Sequence, residues 1–141
     1  MLREYKINKV YQGRLERDDA LLEELTNLVK EKEIKAGKIS AIGAVQKARL
    51  SFYNQDSREY QEKEFNQPFE IVSFLGNISL KDGEPIIHAH ISLGDEDGTL
   101  YGGHLAEGTV VFAFEFVIEE YTGQSFERGF DSKTGLPLWE E

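Results

Sequence analysis

The chain has 141 residues, 40% of them hydrophobic and 30% charged. That is enough apolar surface for one packed core and too little length for two domains of ordinary size, so a single domain over 1–141 is expected and a disordered chain is excluded. Cysteine is absent and the formal net charge is −10, which rules out disulfide frameworks and thiolate chemistry and sets binding to a polyanion at an electrostatic disadvantage. No run approaches the ~20 apolar residues of a membrane helix, and the charged N-terminal residues Arg3, Glu4 and Lys6 do not read as an export signal. A soluble protein of the reducing cytoplasm is the expectation.

Residues 6–16 carry Ile7, Val10, Tyr11 and Leu15 in an extended pattern, with Gly13 marking a bulge or bend. A helix is predicted over about 18–33, because Leu21, Leu22, Leu25, Leu28 and Val29 recur at helical spacing. Asp18 and Asp19 suit its N-cap or first turn, Gly37 suits its exit, and the Leu21, Leu25, Leu28, Val29 stripe faces a sheet.

From 38 to 53 the helical period disappears and β-branched and small residues predict one long strand or two. A turn at 54–58 and a polar strand at 59–65 make a hairpin at a sheet edge. Pro68 opens the next strand, 69–80, with Phe69, Ile71 and Leu75 on one face and Val72, Phe74, Ile78 and Leu80 on the other, as in a strand covered on both sides. A hairpin turn at 81–84, a strand at 85–93, a second turn at 94–98 and a highly apolar strand at 109–121 follow. The tail, 126–139, is broken by Gly129, Gly135 and Pro137 and cannot be one regular element; it is expected to wrap this chain or a neighbouring subunit through Phe126, Phe130, Leu136, Leu138 and Trp139. The class is therefore α+β, a mainly antiparallel sheet with one principal helix.

All three histidines of the chain, His88, His90 and His104, fall in one short stretch. At strand spacing His88 and His90 share a face while Ile87, Ala89 and Ile91 occupy the other. Gly102-Gly103 can take positive φ or pass close to an ion and so return His104 to the same place. Three imidazoles suit one zinc ion, with nickel, cobalt or copper as alternatives, and leave one tetrahedral position open. Glu107, Glu70 or Glu115 are candidates for a fourth ligand.

Glu115 interrupts an apolar strand and Glu70 stands beside Phe69 and Ile71. Each is either a structural charge or, if the protein is an enzyme, a candidate catalytic base for metal-activated water in hydrolysis, hydration or lyase chemistry on a small molecule. Arg128, with Asp131 and Thr134, is either an anchor for an anionic ligand or one half of a salt bridge that ties down the tail. No nucleophile elbow, phosphate-binding loop or calcium loop is present.

Taken together, GKISAIGA at 37–44, EIVSFLG at 70–76, His88-Ala89-His90, Gly102-Gly103-His104-Leu105 with Gly108, and Arg128, Asp131 and Thr134-Gly135-Leu136 resemble the PPC (plants and prokaryotes conserved) domain. The resemblance implies an α+β fold with a twisted antiparallel sheet, a homotrimer, and a metal site at the three histidines in prokaryotic members. It also brings a DNA-binding label, drawn from plant members in which a separate AT-hook contacts the DNA. This chain has no AT-hook, so direct nucleic-acid contact is not expected, and small-ligand binding or a regulatory role is the preferred reading.

Overall fold

The computed structural model describes residues 1–140. In chain order it contains β1 (Lys6–Leu15), α1 (Leu21–Glu31), β2 (Gly37–Asn54), β3 (Glu59–Phe65), β4 (Phe69–Lys81), β5 (Glu84–Gly94), β6 (Leu100–Leu105), β7 (Val110–Thr122), β8 (Glu127–Asp131) and β9 (Leu136–Glu140). This is the α+β class expected. All nine strands join one sheet in the order β1-β7-β2-β6-β5-β4-β8-β9, with β3 paired to β2. Every pairing is antiparallel except the single Leu80–Glu127 pair that joins β4 to β8.

The long strand β2 organises the sheet. Its first half lies between β4 and β7, and its second half pairs with β3 and briefly with β6. Because β4 also pairs with β5 and β5 with β6, the ring β2-β6-β5-β4 closes on itself. The bend that permits the switch of partners runs through Gly43 (φ 151°) and the register shifts between Ala44 and Lys47. At Gly43 a Cβ would stand 2.1 Å from the Ala113 carbonyl oxygen, so only glycine lets the two backbones meet.

The core gathers Leu50, Phe69, Ile71, Phe74, Ile78, Ile87, Ile91, Leu93 and Leu105 from these strands, together with Val111, Phe114 and Ile118 from β7. Leu21, Leu25 and Val29 of α1 cover it and are fully buried, as the helical stripe predicts, while Leu28 is only partly buried.

Several local expectations are corrected. The helix is shorter than 18–33: Ala20 is its N-cap without a side-chain bond, and the Asp19 carboxylate instead accepts the Glu16 N–H at 2.8 Å. It ends because Glu33 turns into the left-handed region (φ 54°) and Ile34 N–H closes on the Val29 carbonyl at 2.9 Å. Gly37 opens β2 and does not close the helix. The bulge in β1 lies between Ile7 and Lys9, whereas Gly13 is small to admit Phe116, whose ring would stand 2.7 Å from a Cβ there.

In β4 a bulge between Ile71 and Ser73 reverses the alternation. Phe69, Ile71, Phe74 and Ile78 thus share the buried face, and Val72 and Leu75 are 53% and 57% exposed. The strand is covered on one side. The tail is a regular β8–β9 hairpin turned at Gly135 (φ 79°), and it lies on its own chain, with Trp139 stacked on Phe126 at 4.8 Å.

Gly43→Ala is expected to lower unfolding free energy by about 3 kcal/mol, combining positive φ with a backbone clash. Gly83→Ala, at φ 79° with nothing within 4 Å of the added Cβ, should cost about 1 kcal/mol. Equal losses in denaturant unfolding would show that the β2 bend does not depend on the close approach.

Candidate metal centre

The tight turn at Asp82 (φ 54°) and Gly83 (φ 79°) has the positive dihedrals of a type I′ hairpin and pairs Lys81 with Glu84. Counting back from it places Asn77 opposite His88 and Leu75 opposite His90. Ile87, Ala89 and Ile91 then point into the core and the two imidazoles to the opposite face.

Strand β6 brings the third imidazole, with His104 opposite His90 of β5 and Ser51 of β2. Gly102 and Gly103 make this possible by closeness, since neither has positive φ: added Cβ atoms would stand 2.9 Å from Ile91 O and 3.1 Å from Ser51 O. The glycine pair presses β6 against its neighbouring strands. The turn after His104 is fixed from two sides. The Gly108 N–H donates to Glu23 of α1 at 3.0 Å, and the Thr109 hydroxyl accepts the Arg49 N–H at 2.9 Å.

The ligand-capable nitrogens of His88, His90 and His104 all lie within 4.8 Å of one another, and His88 Nε2 stands 3.3 Å from His90 Nε2. Two nitrogens bound tetrahedrally to one ion at about 2.0 Å would be about 3.3 Å apart, so this pair already has the spacing of shared ligands. His90 is exposed; His88 and His104 are part-buried. Burial, then the proximity of His104, Arg128 and His90, pushes the His88 imidazole down to about 4. His104 is lowered for the same kinds of reason, burial first, then His90 and Arg128. Both rings are thus held in the neutral form that can bind a metal.

Arg128 reaches this cluster from β8. Its Nε donates to Ser79 Oγ at 2.9 Å, Nη2 to Asn77 Oδ1 at 2.9 Å and Nη1 to the Pro137 carbonyl at 3.0 Å, and Nη2 stands 3.5 Å from His88 Nδ1. It ties down the tail by these hydrogen bonds, and no carboxylate of the described residues forms a salt bridge with it. Asp131 is engaged instead with the Thr134 N–H and hydroxyl at 2.9 and 2.7 Å. The residues sequence reasoning missed are Asn77 and Ser79, which the register of the 82–83 turn placed beside His88, and Tyr60, whose ring lies 5.5 Å from that of His104. Beside the imidazoles lies a cavity of about 380 Å³ whose lining includes Tyr60, His88, His104, Arg128, Leu136 and Leu138.

Of the carboxylates considered, Glu107 lines this cavity and is itself exposed. Glu70 is exposed beside Gly94 and Ala44, four residues along β5 from His90. Glu115 is also exposed, between Arg14 and Ile42, and lines a different hollow with Gln12 and Gly13. Its strand is buried on one face only, through Val111, Phe114, Phe116 and Ile118, and the carboxylate stands on the other. Neither Glu70 nor Glu115 joins the three-histidine group.

The model of the Plants and Prokaryotes Conserved domain matches residues 2–122. The chain belongs to this family. A metal-containing protein from Archaeoglobus fulgidus is 41% identical with a TM-score of 0.95, over 100% of this chain and 99% of that one. A plant- and prokaryote-conserved protein from Pyrococcus horikoshii is 36% identical with a TM-score of 0.93, over 100% and 98%. A Bacteroides thetaiotaomicron protein, described provisionally as DNA-binding, is 29% identical with a TM-score of 0.87, over 96% of each chain. The PPC chain also matches the bifunctional protein GlmU of two Synechococcus strains at 29% identity, but spans only 19% and 20% of their length. No helix among the described residues is long and apolar enough to cross a membrane.

Protonation supplies a test of the site in the metal-free PPC protein. An unfolded histidine takes up its proton near 6.5, whereas His88 stays neutral in the fold down to about 4. Between those values the unfolded state binds more protons, so stability present above pH 6.5 is lost as pH falls toward 4. His88→Gln should flatten part of this decline in melting temperature relative to the wild type; identical slopes would contradict the assigned environment.

Proposed function

We propose that this PPC protein is a metal-binding protein whose three imidazoles, His88, His90 and His104, hold one divalent transition ion beside a small-ligand cavity. The observation that carries this reading is the convergence of three imidazole nitrogens within 4.8 Å, one pair at 3.3 Å. The donor set fits zinc first, with nickel, cobalt or copper also suited to imidazole. The description of the Archaeoglobus relative as metal-containing supports it. Three protein ligands leave a position for water or substrate, and a bound ion there would supply Lewis acidity and a water of lowered pKa.

This chain's own residues do the rest of what the site needs. The β5–β6 register aims the rings, Asn77 and Ser79 hold Arg128 beside His88, and the tail hairpin lines part of the cavity. A metal-dependent hydrolase or lyase acting on a small molecule is the alternative, and it predicts turnover that His88→Ala abolishes while the fold survives. Glu62 and Glu107 are the carboxylates that line the same cavity, and Glu70 and Glu115 stand elsewhere on the sheet.

A homotrimer is part of the proposal. Exposed apolar side chains on the sheet, among them Ile42 at 60% and Leu75 at 57%, support coverage by other copies. DNA binding, as the Bacteroides relative's description suggests, is the second reading; a net charge of −10 argues against unaided contact.

Untagged protein is expected to take up one zinc per chain by elemental analysis and titration calorimetry, with His88→Ala, His90→Ala or His104→Ala each weakening uptake at least about a hundredfold and the bound ion raising the melting temperature. Absence of stoichiometric uptake of any of the four metals would sink the proposal. Light scattering should give three times the 16.1 kDa chain mass, and mobility-shift assays should show no retarded DNA band at low salt; a band whose affinity falls steeply with salt would favour the second reading.

A further inference from the structure

The Arg128 end of the cavity has a chemistry of its own. A guanidinium has five N–H donors, and three here are committed to neutral acceptors of the same chain: Ser79 Oγ, the Pro137 carbonyl and Asn77 Oδ1, at 2.9, 3.0 and 2.9 Å. One N–H on each terminal nitrogen remains, and the nearest further acceptor is His88 Nδ1 at 3.5 Å, the limit of a useful bond. Among the described residues no carboxylate forms a salt bridge with it: Glu62 pairs with Arg49, Asp131 with Thr134, and Glu107 lines the cavity without pairing with Arg128. The side chain is thus held by three bonds, part-buried, with the Trp139 ring 5.7 Å from its Cζ and no carboxylate paired to its charge.

We infer that Arg128 forms a subsite for the carboxylate of a small molecule bearing a short apolar tail. The two free N–H groups suit the two oxygens of a carboxylate, and neutral acceptors fix the guanidinium without spending its charge. The cavity lining also carries the apolar Leu22, Ile86, Leu136, Pro137 and Leu138. About 380 Å³ is at the small end of ligand cavities and suits an acid of a few carbons. A single charge matches a single guanidinium, whereas a phosphate dianion would meet Glu62 and Glu107 on the same cavity lining. The subsite shares the cavity with the three imidazoles but is carried by Arg128 and its wall, so it extends the metal reading without requiring an ion.

The test is an NMR titration of the metal-free full chain with isovalerate, its neutral isostere isovaleramide, acetate and inorganic phosphate. Isovalerate should give saturable shifts at Asn77, Ser79 and 136–138, with isovaleramide at least about tenfold weaker for lack of charge, acetate weaker for lack of a tail, and phosphate weakest. R128Q should reduce isovalerate affinity about tenfold or more and R128K should restore part of it. The isovalerate–isovaleramide comparison uses the unaltered protein and so does not depend on how a variant folds. Equal affinity for the acid and amide, unchanged affinity in R128Q, tighter binding of phosphate, or no binding of isovalerate overturns the subsite. Zinc uptake is measured on the same samples, so a failure of the metal reading is seen separately from a failure of this one.

Discussion

The position of β6 between β5 and β2 is the constraint on which the site and much of the core depend. Six residues long, it pairs with two strands at once, and its glycines let backbone oxygens come within about the breadth of a methyl group. On the inner face Leu105 meets Leu50 and is 1% exposed. On the outer face Ser51, His104 and His90 form a row across three strands. A slip of one residue would turn His104 into the core and Leu105 out of it. The apolar burial of Leu105 therefore holds the imidazole in place, and any larger residue at 102 or 103 would push against strand backbone, where no flexible side chain can yield.

The electrostatics follow from that packing. Three bases and a guanidinium are drawn together on a chain whose overall charge is −10, yet no carboxylate is placed among them. Partial burial first, and then the crowding of potential cations, favours the neutral forms of His88 and His104. Arg128 keeps its charge and is accommodated by dipolar partners, Asn77, Ser79 and the Pro137 carbonyl. Such a cluster is poorly satisfied by its own chain. Lone pairs converge at one point and N–H groups at another, a few ångströms apart, which is the complementarity expected of a site that takes up a cation and an anion together.

Much of this was readable in the residues. The hairpin turn at 81–84, the alternation around His88 and His90, and the helical leucine stripe each follow from period and turn chemistry alone. What was misread has a physical cause in each case. The bulge at 71–73 is silent in composition, so an alternation that looked two-sided in β4 describes a strand buried on one side. Glu115 sits among aromatic residues, but only alternate ones face inward, and the carboxylate takes the other side. The Gly102-Gly103 step was legible as special while its use was not: strands pressing on both sides, not a turned backbone, required it. Arg128 looked like a salt-bridge residue because Asp131 is near in sequence. The turn closed by Thr134 occupies that carboxylate first.

The tail gives these features an unequal standing within the family. The family model ends at residue 122, and all three histidines lie inside it. Arg128 and the cavity wall at 136–138 lie outside it, although solved relatives from Archaeoglobus and Pyrococcus cover the whole chain. The hairpin that supplies them is attached to the sheet by a single parallel pair at Leu80–Glu127, by Arg128 itself, and by the bonds of Tyr53 and Arg58 to carbonyls 132–134. Since Leu136 and Leu138 lie on the hairpin and the imidazoles on β5 and β6, the hairpin can change these side chains without altering the strands that carry the histidines. On the reading proposed here, the sheet fixes the ion and the tail chooses what is held beside it.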